Sequence, residues 1–245
     1  MPKKVLVTGS SGYVANYIIK SMARQYPQVQ VIGMSRSGRA RDEEVKALPN
    51  VSFTKGDCLD ADTFREKLED VDSVIHCVGT LIEKKNNPNL TYNAMNRDTT
   101  INMAGELQDW AFKQNKARNF VMISSEKAPP FLDAYLTSKL EAEQYILSDE
   151  CFMLKPTIVR PGFIVDKNHR WWSIPLSLGV NMAYYLNEKV NKHLPFSKST
   201  DFLFPAHSTQ LSTVAHFAIE GALGKNDTKI LTNETLIKYE NESHK

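Results

Sequence analysis

The 245-residue chain predicts a doubly wound α/β fold, with a parallel sheet covered by helices on both faces and a small C-terminal lobe behind it. Three observations carry that prediction. Short apolar runs alternate with helical patterns along most of the chain. Runs such as Val5–Val7, Val74-Ile75 and Phe120-Val121-Met122-Ile123 are apolar without alternation, as strands buried on both faces require. Finally, the junction VLVTGSSGYVA at 5–15 stops a β-branched run in small residues and restarts as a helix.

In chain order, strands are expected near 4–8, 29–34, 51–55, 72–78, 119–124 and 155–160, and helices near 12–25, 61–69, 97–115 and 134–148. Residues 165–208 form a looser stretch with prolines and aromatics, read as an insertion or small lobe. Leu211–Ile219 then reads as an amphipathic helix ending at Gly221 or Gly224, Lys229–Thr232 as a short strand, and the tail YENESHK as frayed.

Composition excludes several function classes. Thirty basic against 28 acidic residues give a net charge of +2, too balanced for a nucleic-acid footprint. Cys58, Cys77 and Cys151 are odd in number and lack metal-ligand spacing, and His169, His193, His207 and His216 are scattered, so reduced thiols and no metal are expected. No apolar run reaches the roughly 18 to 20 residues of a membrane-spanning helix. The start, MPKKVLV, enters the first strand almost at once and leaves no room for a secretory signal or a separable transit peptide.

Gly9, Gly12 and Ala15 lie where a first strand meets a first helix, so unpaired helix N–H groups point over the loop, and a pyrophosphate suits that position. Gly9, Ser11, Gly12, Tyr13 and Val14 are therefore assigned to a dinucleotide on a Rossmann-type domain spanning 1–164, with 165–245 as the lobe. The second strand ends in SRSGR, where an NAD-selective site places an acid. Arg36, with Ser37 beside it, offers a fork for a 2′-phosphate, which favours NADP(H) over NAD(H); Arg39 is an even choice and Arg41 reads as a solvated charge. Asp57 and Cys58 follow the third strand beside the adenine, and Val78 and Gly79 end the fourth, where backbone passes under the adenosine.

Ser124 and Ser125 close the fifth strand, and Tyr135 and Lys139 share a face of the next helix. An ammonium beside a phenol lowers its pKa toward working pH and makes it an acid or base for a carbonyl or hydroxyl. Ser125 would orient the substrate oxygen, Asn96 would carry a water to Lys139, and Ser124, Tyr135 and Lys139 would also face the cofactor; which serine faces the site is open. Pro161 and Gly162 form a rigid corner on the nicotinamide side.

With TGSSGYVA, SRSG, GDCLD, MNRDTTIN, ISS, YLTSK and VRPG in this order, the chain resembles the short-chain dehydrogenase/reductase superfamily, extended or atypical branch, over nearly its whole length. HCVGTLIE, TYNAMN and IVRPGF are similar to mitochondrial members associated with coenzyme Q biosynthesis and, more distantly, to nucleotide-binding accessory subunits of respiratory complex I. The resemblance implies NADP(H) held for structure or sensing within a mitochondrial assembly, in the matrix or on the matrix side of the inner membrane. The alternatives are an active oxidoreductase on a hydrophobic carbonyl or quinone-related substrate, and a cytoplasmic location. Residues 171–186, with Trp171, Trp172, Tyr184 and Tyr185, read either as a cap over substrate or as a surface for partner subunits or peripheral membrane contact.

Overall fold

A computed structural model describes residues 3–84, 86–128, 132–166 and 206–243. Strands β1 (Lys4–Thr8), β2 (Gln30–Ser35), β3 (Val51–Lys55), β4 (Ser73–His76), β5 (Arg118–Ile123), β6 (Leu154–Val159) and β9 (Ile230–Leu231) form one sheet in the order β3-β2-β1-β4-β5-β6-β9. Every pairing in it is parallel. Strand order reverses between β1 and β4, so a crevice opens at the C-terminal ends of those two strands. Strands β7 (Ile164–Val165) and β8 (Thr209–Gln210) make a separate parallel pair.

Alternation along the strands builds two apolar layers. Helix α1 (Tyr13–Gln25) places Ala15, Ile18, Ile19 and Met22 against Val5, Val7 and Val31, beside α5 (Leu211–Leu223) with Val214, Ala218 and Ile219. On the other face α3 (Thr99–Lys113) and α4 (Asp133–Leu147) pack Met103, Leu107, Ala142 and Ile146 on Leu6, Val74 and Phe120. Segment 206–243 thus returns to the α/β body, where β9 extends the sheet on β6. Residues 167–205 lie outside the described residues, and with them Trp171, Trp172, Tyr184, Tyr185, His169 and His193.

Several elements differ from the sequence expectation. After the short α2 (Glu43–Lys46), region 61–69 forms two 3-10 turns, Ala61–Thr63 and Arg65–Leu68, because Phe64 leaves helical dihedrals (φ −137°) with its ring buried in the core. The helix expected from 97 begins earlier, as a π-helix at Asn93–Asp98 that runs into α3. The tail is ordered through α6 (Asn233–Ser243): Leu236 is buried in the core, and Glu240 accepts the Gln210 N–H at 2.8 Å.

Candidate active site and nucleotide groove

The groove at the switch point is walled by the loop after β1, the ends of β2, β3 and β4, and the start of α3. Gly9 adopts φ +69°, and a Cβ there would meet the Cys77 and Val78 backbone at 3.2 Å, so the turn requires glycine. Gly12 caps α1 without a side-chain hydrogen bond, and the first turn of α1 contains no acid. The first turn of α1 thus carries no anionic side chain over the Gly9–Gly12 loop, which fits a pyrophosphate over Gly9, Ser11 and Gly12. Arg36 stands exposed on the wall at the end of β2; among the described residues it makes no ion pair or hydrogen bond. Asp57, Cys58, Val78 and Gly79 complete the wall. One Asp57 carboxylate oxygen accepts the Leu59 N–H at 3.1 Å. Burial pushes the Cys58 and Cys77 thiols up to about 12, so both remain protonated and unreactive near neutrality.

Of the residues assigned to the diphosphate and adenosine, Tyr13, Val14 and Ser37 do not line this groove. Val14 packs against the core, because it follows the turn on the inner side of α1. Tyr13 donates its hydroxyl to Asp166. Ser37 stabilises the turn after β2, its Oγ 3.2 Å from Ser35 Oγ. Arg41 is exposed, as expected of a solvated charge, and also donates to the Ser11 carbonyl at 3.0 Å, while the Asn16 amide holds Asp42 at 2.6 Å, tying the loop after β2 to the mouth of α1. Ser35, offered by the sequence as a further donor, and Cys77, read with Val78 and Gly79 at the end of the fourth strand, also line the groove; Met34, Gly56, Met95 and Thr99 line it too and were missed, marked only by their place at a strand end or where the π-helix runs into α3.

Beyond Gly79 the groove meets a polar face of α4. A Cβ on Gly79 would lie 2.9 Å from Asn96 Oδ1 and 3.1 Å from Lys139 Nζ, so glycine makes room for both. Asn96, buried on the π-helix, accepts the Thr80 N–H at 2.8 Å and donates to Thr80 O and Ser138 Oγ. Lys139 is 4% exposed and donates to the Ile123 carbonyl at 3.0 Å. Burial brings its pKa down to about 8, against the raising fields of Cys77 and Glu143.

Ser125 Oγ donates to the Lys127 carbonyl at 3.0 Å; the Tyr135 phenol lies beside it, and its ring meets Tyr92 edge-on at 5.9 Å. The phenol is shifted above its ordinary value by burial, with Ser125 opposing and Tyr92 adding. This corrects the expected lowering: the Lys139 ammonium is spent on a backbone carbonyl, and desolvation dominates the phenol.

The two serines separate. Ser125 lies beside Tyr135, whereas Ser124 is buried and donates to Glu143, itself held by Arg160, so Ser124 lies off the groove. Pro161 and Gly162 also lie off it. The Gly162 N–H donates to Asn233 Oδ1 at 2.9 Å, and a Cβ there would come within 1.9 Å of the His207 carbonyl, so its glycine serves packing against 206–209. His76 bridges Thr8 and Thr99 at 3.0 and 3.3 Å, and burial brings its pKa down to about 3, leaving a neutral imidazole beneath the site.

The sequence model of the NAD dependent epimerase/dehydratase family matches residues 5–163. The chain belongs to this family. It is 28% identical over 255 residues to MIOREX complex component 2 of Saccharomyces cerevisiae, covering 86% of this chain and 90% of that protein. To UDP-glucose 4-epimerase of Vibrio cholerae it is 28% identical over 184 residues, 65% of this chain, and spans about half (52%) of that enzyme. The structure of a short-chain dehydrogenase/reductase family oxidoreductase from Burkholderia thailandensis superimposes with a TM-score of 0.65 at 14% identity, covering 100% of this chain and 98% of that one; this likeness concerns the fold. The matched residues cover the first six strands of the sheet, so the doubly wound body described above is this family's domain. Among the described residues no cluster could hold a metal, and no helix is long and apolar enough to cross a membrane.

Proposed function

We propose that the chain is an NADP(H)-binding subunit of a mitochondrial respiratory-chain or coenzyme Q assembly, in which the dinucleotide serves structure or sensing more than turnover. One observation carries the reading: the groove offers an uncapped helix mouth and an unpaired Arg36, with no acid at the end of β2. Pyrophosphate takes the N–H groups after Gly12, and Arg36 grips a 2′-phosphate with a fork that NAD(H) would leave empty. The untuned phenol of Tyr135 favours holding over turnover. Likeness to a MIOREX complex component over most of both chains favours a place in an assembly, and the resemblance of the motifs to mitochondrial members favours the compartment. Residues 165–245, with the aromatic segment 171–186, are the part proposed to face partner subunits or a membrane surface.

A second reading, an NADP(H)-dependent oxidoreductase on a hydrophobic carbonyl, is favoured by Tyr135 lying beside Ser125, with Lys139 and Asn96 meeting at Gly79. A bound nicotinamide would supply or accept the hydride. In that case Ser125 orients the substrate oxygen, Tyr135 holds the proton that reaches it, and buried Lys139 supplies positive charge near the ribose.

Thermal melting of the native chain with NADPH and NADH tests the reading. NADPH is expected to raise Tm more than NADH, and Arg36→Asp to weaken NADPH at least tenfold, about 1.4 kcal/mol, while sparing NADH. Equal response to both nucleotides, or none, overturns it.

A further inference from the structure

Three consecutive residues at the end of β5 each face a different residue on one face of α4. Ser125, whose Oγ donates to the Lys127 carbonyl, lies beside Tyr135, the Ile123 carbonyl receives Lys139 Nζ at 3.0 Å, and Ser124 Oγ donates to Glu143. The three partners stand at 135, 139 and 143, one helical turn apart, so they form a single stripe. Glu143 is only 2% exposed. Both its carboxylate oxygens are 3.1 Å from Arg160 Nε, and the Arg160 Nη2 closes a fork from the end of β6. A buried carboxylate this tightly held is costly to retain. The two residues of the stripe nearer the groove have uses in the reading above, and the third has none yet.

We infer that Glu143 is a positioning residue of this site: clamped by Arg160 and Ser124, it locks the end of β5 against α4 and sets charge and place for the Lys139 ammonium one turn away. The inference rests on the dinucleotide reading for its purpose, not for its geometry. The groups facing Lys139 are His76 at the end of β4, Cys77 just after it, and Glu143 from its own helix; Arg160 lies behind Glu143, with Glu126 acting on Arg160. The two thiol and imidazole neighbours are neutral near pH 7, held so by burial, which leaves Glu143 as the anion acting on Lys139. Its field opposes the desolvation that lowers Lys139 toward about 8.

Glu143→Gln keeps the shape and the Ser124 contact but removes the charge. In the full chain carrying 13C-lysine, the Cε resonance of Lys139, assigned through Lys139→Arg, is expected to titrate about one pH unit lower in Glu143→Gln than in wild type. The alkaline loss of NADPH affinity should move down with it, because the ammonium is charged only below its pKa. Arg160→Lys, which keeps a cation on Glu143, should leave the titration in place. Should Glu143→Gln fold poorly, the pair Glu143→Gln/Arg160→Met removes both charges together and should show the same downward shift. A fall in Tm with the Lys139 titration unmoved overturns the inference and leaves Glu143 a mere brace. Wild type that binds no dinucleotide, with the Lys139 shift still present, overturns the reading under Proposed function and leaves this inference standing.

Discussion

The two ends of the groove are built in opposite ways. Toward the mouth of α1, charge is left unspent: the helix has no side-chain cap, and Arg36 has no ion pair or hydrogen bond among the described residues. Toward the polar face of α4, hydrogen-bonding groups are already used internally: Asn96 by Thr80 and Ser138, Lys139 by Ile123, Glu143 by Ser124 and Arg160. The first end gains bonds when an anion arrives. The second must exchange existing bonds before it can engage a substrate, so holding a nucleotide does not depend on using it.

If the α4 end is preassembled by internal pairing, breaking its most buried pair should produce the largest effect. Arg160→Met strands the Glu143 carboxylate, whose side chain is 3% exposed, and should cost about 3–5 kcal/mol, measured by urea unfolding. A loss below about 1 kcal/mol would mean that the pair is solvated and the contrast between the two ends is false.

His76 lies under both ends, and its titration should be the next effect in size. Its folded pKa of about 3 is far below the ordinary 6.5, so its contribution to stability is complete above pH 6.5 and is lost as pH falls toward 3. His76→Gln should therefore lose less stability than wild type on acidification from pH 6.5 to 4, read from urea midpoints at each pH. Parallel curves would show that the imidazole is not held neutral.

The smallest effect is expected at Tyr135. Tyr135→Phe removes a buried hydroxyl beside Ser125, an effect of about 0.5–1.5 kcal/mol at most, and should leave NADPH affinity nearly unchanged in fluorescence titration. A large fall in affinity would place the phenol among the nucleotide contacts. Loss of a substrate-dependent change in NADPH absorbance would favour the oxidoreductase reading instead.

Much of the adenosine end was legible in the letters. Gly9, Gly12, Arg36, Asp57 and Gly79 each sit directly after a strand, where turn chemistry and chain order alone define their surroundings. The α4 end was only half legible. The spacing of Tyr135 and Lys139 put them on one face, but Glu143 reads as an ordinary helix acid until Arg160, 17 residues on, is brought to it by the pairing of β5 with β6. Ser124 and Ser125 could not be ranked because neighbours on a strand point to opposite sides, and only the placement of α4 decides which side is which. Gly162 was misread for a similar reason: its glycine answers to His207, 45 residues away in sequence.

The sequence by itself determined the alternation of strand and helix, the glycine turn at the mouth of α1 and the sign of the charge at the end of β2, since these depend on periodicity and on neighbours within a few residues. Tertiary structure alone decided how the polar groups are spent. Which serine meets Tyr135, where Lys139 donates and why Glu143 is buried all follow from segments far apart in the chain meeting in a dry interior, where a hydrogen bond left unmade is costly and each group takes whatever partner packing delivers.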